Sequence, residues 1–354
     1  MAFGAYASLP SCSLGGSTMQ SQLWKIAKNL LLTLWMPVVV YLFFVLLTAA
    51  NGKNGFGTGS DLMVILRNTV YSGFIALALS YNLTSGRFDF SVGSILILST
   101  IIGVNIALAW GLGAVAMLAA CMVAGALLGT VSGLAYIILR LPPIVVSVGV
   151  AMIYEAIGFL INDGKGVRIV NNPDLLIFAQ QPYVAILAVV VLLVLVVLLN
   201  FTKFGFDTNS LRGGQAIAVN IGINERKNTV ICYLLAGALM AAAGVINLSI
   251  LGSMTPKLGL SSAAYMMNAF LPLFLGGFLA RYSDRNIGIM VGSFVQACII
   301  SGFAILGLSI ALQSVLNTLI VLAFLIFTSN SYKIAEFQMM KGKRCKAQMA
   351  LQQS

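Results

Sequence analysis

The sequence predicts an all-α, polytopic membrane protein with about ten transmembrane helices, on three observations. Hydrophobic residues fill 60% of the 354 positions and charged ones only 8%, with a mean hydropathy of +1.00. A soluble domain needs far more charge to cover its surface. Apolar runs of about 20 residues, each about 30 Å long as helix, recur along the chain and match the hydrocarbon thickness of a bilayer. The alternating ten-residue pattern of a membrane barrel is absent.

Residues 1–24 are small and polar, with Leu9-Pro10, Gly15-Gly16 and many serines. They lack the charged start and apolar core of a cleavable signal and are expected to form a loose cytoplasmic tail. The transmembrane body is expected over 25–330 and a basic tail over 331–354. Segment 1 follows Lys25 and Lys28 and runs from about Leu30 to Ala50, with Trp35 and Pro37 near its cytoplasmic end. A Gly/Asn-rich link leads to segment 2, about Leu62 to Leu83, where Arg67 can snorkel near the outer end. Segment 3 covers about Phe90 to Trp110 and segment 4 about Leu112 to Leu139. Segment 4 holds Gly125, Gly129 and Gly133, a stripe of three small residues spaced four apart that lets two membrane helices approach closely.

Leu141-Pro142-Pro143 opens segment 5, which ends near Ile161; an outer loop and segment 6, Tyr183 to Phe201, follow. Segments 7 to 10 are expected at about Thr229 to Ser249, Ala263 to Ala280, Ile287 to Phe303 and Leu306 to Phe327. With the N-terminus inside, fifteen of the twenty Lys and Arg residues fall on the cytoplasmic side, including the cluster Lys341, Lys343, Arg344 and Lys346. The outer side keeps Lys53, Arg67, Lys165, Arg168 and Lys257, and this bias places both termini in the cytoplasm. The net charge of +11 therefore reads as membrane topology and not as a nucleic-acid surface.

Cys12, Cys121, Cys232, Cys298 and Cys345 are scattered, and there is no histidine, so neither a metal site nor a disulfide framework is indicated. No phosphate-binding Gly-rich loop ending in Gly-Lys-Ser/Thr occurs, so the chain has no cradle of its own for ATP. A Ser/His/Asp set, an HExxH and a paired carboxylate inside the membrane are missing too, which argues against an enzyme. Glu155 alone lies well inside an apolar run, about eight residues from Asp163. An ionisable group there is a functional candidate by default, because a charge facing lipid costs several kcal/mol. It either contacts the substrate or lines its pathway, or it is structural, paired with an Arg or held as a neutral, hydrogen-bonded carboxyl. Asn105, Tyr154 and Asn268 join it as candidate pathway residues, with Gln296, Gln313 and Asn317 as further polar groups within helices.

The longest polar interruption is Thr202 to Lys227, on the cytoplasmic side by the same charge count. Gly213-Gly214 reads as a turn, Gln215 to Asn220 as a short helix and Gly222 as its stop. Ala216, Ile217, Ala218, Val219, Ile221 and Ile223 would put an apolar surface into water unless something covers it. Either a partner protein or the ends of the membrane helices fit that need.

The pattern of this loop, Gly205 then Gly213-Gly214, Ala218 and Gly222-Ile223-Asn224, resembles the cytoplasmic loop of permease subunits of bacterial ATP-binding-cassette importers. The class is the ribose, simple-sugar and autoinducer-2 one, within the branched-chain amino acid and sugar permease superfamily. Gly86-Arg87-Phe88-Asp89-Phe90-Ser91-Val92-Gly93-Ser94 resembles its GGIDLSVGS signature, and Leu141 to Gly149 resembles its LPPFIVTLG helix entry. Asp89 is expected to cap segment 3, with Ser91 and Gly93 allowing tight packing. The chain departs from the family at Gln215-Ala216, where Asn-Glu is common, at Arg281 to Arg285, which replace a Gly-rich turn, and at Glu155, where a basic residue is frequent.

The resemblance implies a type II importer-like fold and a coupling helix built on Gly213, Gly214, Gln215, Ala216, Ile217, Val219, Gly222 and Ile223 that docks into a cytoplasmic ATPase subunit. It also implies ATP and Mg on that ATPase with no cofactor on this chain, a periplasmic or lipid-anchored solute-binding protein, a second permease subunit, and a place in the inner membrane. The cargo would be a small polar solute such as a sugar. The alternative is an ion-gradient-driven secondary transporter, for which one carboxylate and no histidine make a poor relay.

Overall fold

The structure is a computed structural model that describes residues 19–53, 55–280, 282–328 and 330. Helix α1, Met19–Ala50, reaches back into the stretch expected as a tail; residues 1–18 and the C-terminal basic cluster lie outside the described residues. Helix α2, Gly59–Thr84, starts where the Thr58 hydroxyl accepts the Asp61 N–H. Helices α3, Ser91–Ala109, and α4, Ala114–Leu139, follow, and α4 stops at Arg140, in the left-handed region with φ 53°. Two prolines then prevent continuation, and Pro143 begins α5, Pro143–Leu160, at a position where its missing N–H costs nothing.

Next come α6, Tyr183–Phe201; the loop helices α7, Lys203–Gly213, and α8, Gln215–Asn220; and α9, Glu225–Leu251, capped by Asn224. After them stand α10, Ala263–Met267; α11, Phe270–Leu279; α12, Arg285–Ile305, capped by Asp284; and α13, Ile310–Thr328. A two-residue antiparallel bridge joins β1, Val167–Arg168, to β2, Ser253–Met254.

Among the described residues nine helices are long and apolar enough to cross a membrane. The tenth crossing, expected as one helix over 263–280, is instead broken. Its apolar helical part breaks at Asn268-Ala269 between α10 and α11, and an extended limb, Thr255 to Ser262, leads into it. Gly259 and Leu260 take φ values of +71° and +63° there, a pair of left-handed residues that bars a helix.

The core lies where α2, α3, α4 and α9 meet; Phe74, Leu96, Ile101, Met240 and Ile246 are fully buried. The glycine stripe of α4 meets α9. A Cβ added at Gly129 would stand 2.2 Å from the Tyr233 carbonyl oxygen, and one at Gly125 2.4 Å from that of Gly237. Apolar side chains gain nothing by leaving lipid for one another, so this backbone-to-backbone approach is what binds the pair. Cys121, Cys232 and Cys298 are free and buried, as small packers; Cys12 and Cys345 lie outside the described residues.

Candidate coupling face and solute path

The loop between α6 and α9 holds more helix than its sequence suggests. Gly205 lets α7 fold back on α6, since a Cβ there would lie 1.9 Å from the Leu199 carbonyl oxygen. The Asn228 amide donates to the Thr208 hydroxyl at 2.8 Å, tying α7 to α9. Helix α8 spans the residues expected for it, after the turn at Gly213-Gly214 and before Gly222, whose φ of +94° ends it. Only Ala218 turns inward; Ile217 is 70% exposed, Ile221 71% and Val219 43%, and Gln215, Ala216 and Gly222 are exposed beside them, with Ile223 half-buried. The helix ends do not cover this face.

A polar thread runs inward from α8. The Gln215 side chain donates to Glu225 Oε1, which also stands 3.9 Å from the buried Arg87 guanidinium. Arg87 donates to the Thr229 hydroxyl as well, so the loop before α3 is tied to the first turn of α9. Two residues on, Asp89 Oδ1 accepts the Ser91 N–H at 2.8 Å and its hydroxyl at 2.6 Å. The residue flanking α3 is Phe90, so Asp89 caps from one position earlier than expected. Burial pushes its carboxyl up to about 6, against the opposing pull of the Ser91 bonds. The Ser91 hydroxyl reaches Ser132 at 3.4 Å, Ser132 reaches Tyr154 at 3.2 Å, and the Tyr154 hydroxyl donates to the Leu128 carbonyl at 2.8 Å.

Gly93 and Glu155 position the broken crossing. A Cβ at Gly93 would fall 2.2 Å from the Ser262 carbonyl oxygen, so the limb presses on α3 where the signature has no side chain. Both Glu155 oxygens are taken: Oε2 accepts the Leu260 N–H at 2.8 Å and Oε1 the Ser262 N–H at 2.9 Å. Backbone N–H groups that no helix satisfies are costly inside a membrane, and the carboxylate supplies the missing acceptors. Glu155 is thus a strut for the limb. Asn105 is half-buried near the C-terminal end of α3, donating to Ile101 and accepting from Asn162. Asn268 is exposed at the helix break, and its carbonyl accepts from the buried Gln296 amide.

The thread of Gln215, Glu225 and Arg87, the helix α7 and the limb itself went unread in the sequence. Pro256 and Gly259 were the available signals for the limb, breaking the run between α9 and α10.

Among the described residues, nine apolar helices long enough to cross a membrane and a shorter, broken apolar stretch, closed around buried polar groups, define a multi-pass membrane transport protein. Comparison with known proteins narrows this. Residues 62–327 match the family described as branched-chain amino acid transport system / permease component, and the chain belongs to that family. It is 25% identical over 281 residues to the ribose import permease protein of Escherichia coli strain K12, covering 75% of this chain and 85% of that one. The ribose import permease protein of Bacillus subtilis strain 168 is 27% identical over 269 residues, 74% and 82% of the two chains. The L-arabinose transport system permease protein of Escherichia coli strain K12 is 27% identical over 264 residues, 72% and 78%. No solved structure matches the chain.

Proposed function

We propose that this chain is the membrane-spanning subunit of an ATP-binding-cassette importer that carries a sugar or sugar-like solute across the cytoplasmic membrane. The observation that carries the reading is α8, a short helix with Ile217 and Ile221 about 70% exposed, which the charge count puts on the cytoplasmic side. Such a face in water calls for a protein cover. A separate ATPase subunit fills that role, binding ATP and Mg itself, and this chain supplies the docking helix and the path. A second permease subunit encloses the path from the other side, and a solute-binding protein feeds its outer mouth. Both termini lie in the cytoplasm.

The thread from Gln215 through Glu225 to Arg87 gives the docked helix a route to the loop before α3. ATP binding and release then favour different states of that loop, which is what uphill transport requires. The ion-gradient alternative loses its carboxylate, because both Glu155 oxygens are bonded to backbone N–H groups.

The test is co-purification. Ile217→Asp or Val219→Asp puts a charge on the docking face and is expected to lower capture of the co-expressed ATPase at least tenfold, with membrane insertion unchanged. Equal capture by the variants and the parent would refute the docking role.

A further inference from the structure

Irregular backbone inside a bilayer is tolerated where protein covers it or where it lines a water-filled cavity, never against lipid. The limb from Thr255 to Ser262 is such a backbone. Its depth follows from contacts: Ser262 presses on Gly93 of α3, Leu260 and Ser262 bond Glu155, twelve residues into α5, and Pro256 lies beside Gly158. One side of the limb is therefore covered. The other side is open, with Thr255, Leu258, Gly259 and Ser261 exposed, and the exposure continues at Ala264 and Met267 of α10 and at Asn268 just after it.

Lys257 makes a second, independent case. A lysine near a membrane surface ordinarily extends its stem toward bulk water. Here the ammonium instead lies over the Tyr265 ring of α10, 4.3 Å from its centroid. Among the described residues no carboxylate pairs with it. A half-exposed cation held against a ring, with no anion beside it, needs water on its open side.

We infer that the open side of the limb and of α10 forms one wall of the solute path, with Lys257, Tyr265, Ser261 and Asn268 as the side chains that meet the cargo. These groups are hydrogen-bond donors and acceptors beside an aromatic ring, and the wall holds no free carboxylate. That chemistry suits an uncharged, polyhydroxylated solute and offers a cation nothing. The inference rests on the transport reading and deepens it, with Glu155 as the positioning residue behind the wall.

The test uses the complete importer in membrane vesicles, with the five native cysteines replaced. Single cysteines are placed by Ser261→Cys and Asn268→Cys, with Ala264→Cys as a milder change on the same side, and by Val190→Cys on the exposed face of α6. A charged methanethiosulfonate reagent is expected to modify the wall positions at least tenfold faster than position 190. Ribose, arabinose, fructose or xylitol, supplied as probes, is expected to slow that modification at least threefold. Rates at 261, 264 and 268 no faster than at 190 would overturn the wall, even with ATPase capture through α8 intact. Water access without slowing by any of the four polyols would overturn the cargo assignment.

Discussion

Glu155→Gln is the sharpest perturbation of the broken crossing. The carboxylate accepts N–H groups from Leu260 and Ser262 at 2.8 and 2.9 Å. Hydrogen bonds to a charged group contribute about 1.5–3 kcal/mol each. Glutamine keeps one acceptor oxygen, loses the charge behind it, and turns an amide N–H toward the second backbone donor. The sum of one bond lost and one weakened is about 2–4 kcal/mol of limb stability, or roughly 30- to 1,000-fold in its opening equilibrium. Hydrogen exchange in detergent or nanodiscs reads this directly, since the amides of Leu260 and Ser262 exchange through local opening. They are expected to exchange at least about 30-fold faster in the variant, with α2, α3 and α9 unchanged. Exchange within threefold of the parent at both amides would refute the strut.

Arg87→Gln removes the ion pair with Glu225 while leaving α8 intact, so ATPase capture should persist and solute uptake per ATP hydrolysed should fall about 10- to 100-fold. Unchanged coupling would count against the thread. Gly129→Leu drives a side chain into the Tyr233 carbonyl and is expected to cost about 3 kcal/mol, seen as a fall in melting temperature. A melting curve that overlays the parent would dispose of the close α4–α9 contact. Asp89 has its carboxyl raised to about 6 by burial, from 3.8. For a raised pKa, its contribution is fully present below about pH 3.8 and is lost as pH rises through about 6, on the order of 3 kcal/mol. Asp89→Asn should therefore flatten the fall in melting temperature between pH 4.5 and 7.5; a parallel fall in both proteins would deny that role.

How much was legible in the sequence follows from where the information is local. The crossings were readable because lipid selects length and apolarity residue by residue, and Gly125, Gly129 and Gly133 announced a close approach without naming α9 as the partner. Helix α8 was readable to the residue because glycines stand at both of its ends. Helix α7 was not, since its holding contacts, Gly205 against Leu199 and Thr208 against Asn228, are tertiary. Glu155 stood out as an intramembrane carboxylate, but its task depends on the Leu260 and Ser262 N–H groups, over a hundred residues away in the chain. Lys257 looked like an outer-loop cation because the expected helix began only at 263; the limb that holds it over the Tyr265 ring has no periodicity to detect.

The central claim is that α8 is where an external motor takes hold. A photo-crosslinking residue at Ile217 or Ile221, in cells that co-express the ATPase of the same importer, tests it directly. The account predicts a crosslink to the ATPase at both positions and none from Val190 of α6. Failure at both, with the protein folded in the membrane and the ATPase present, would contradict it.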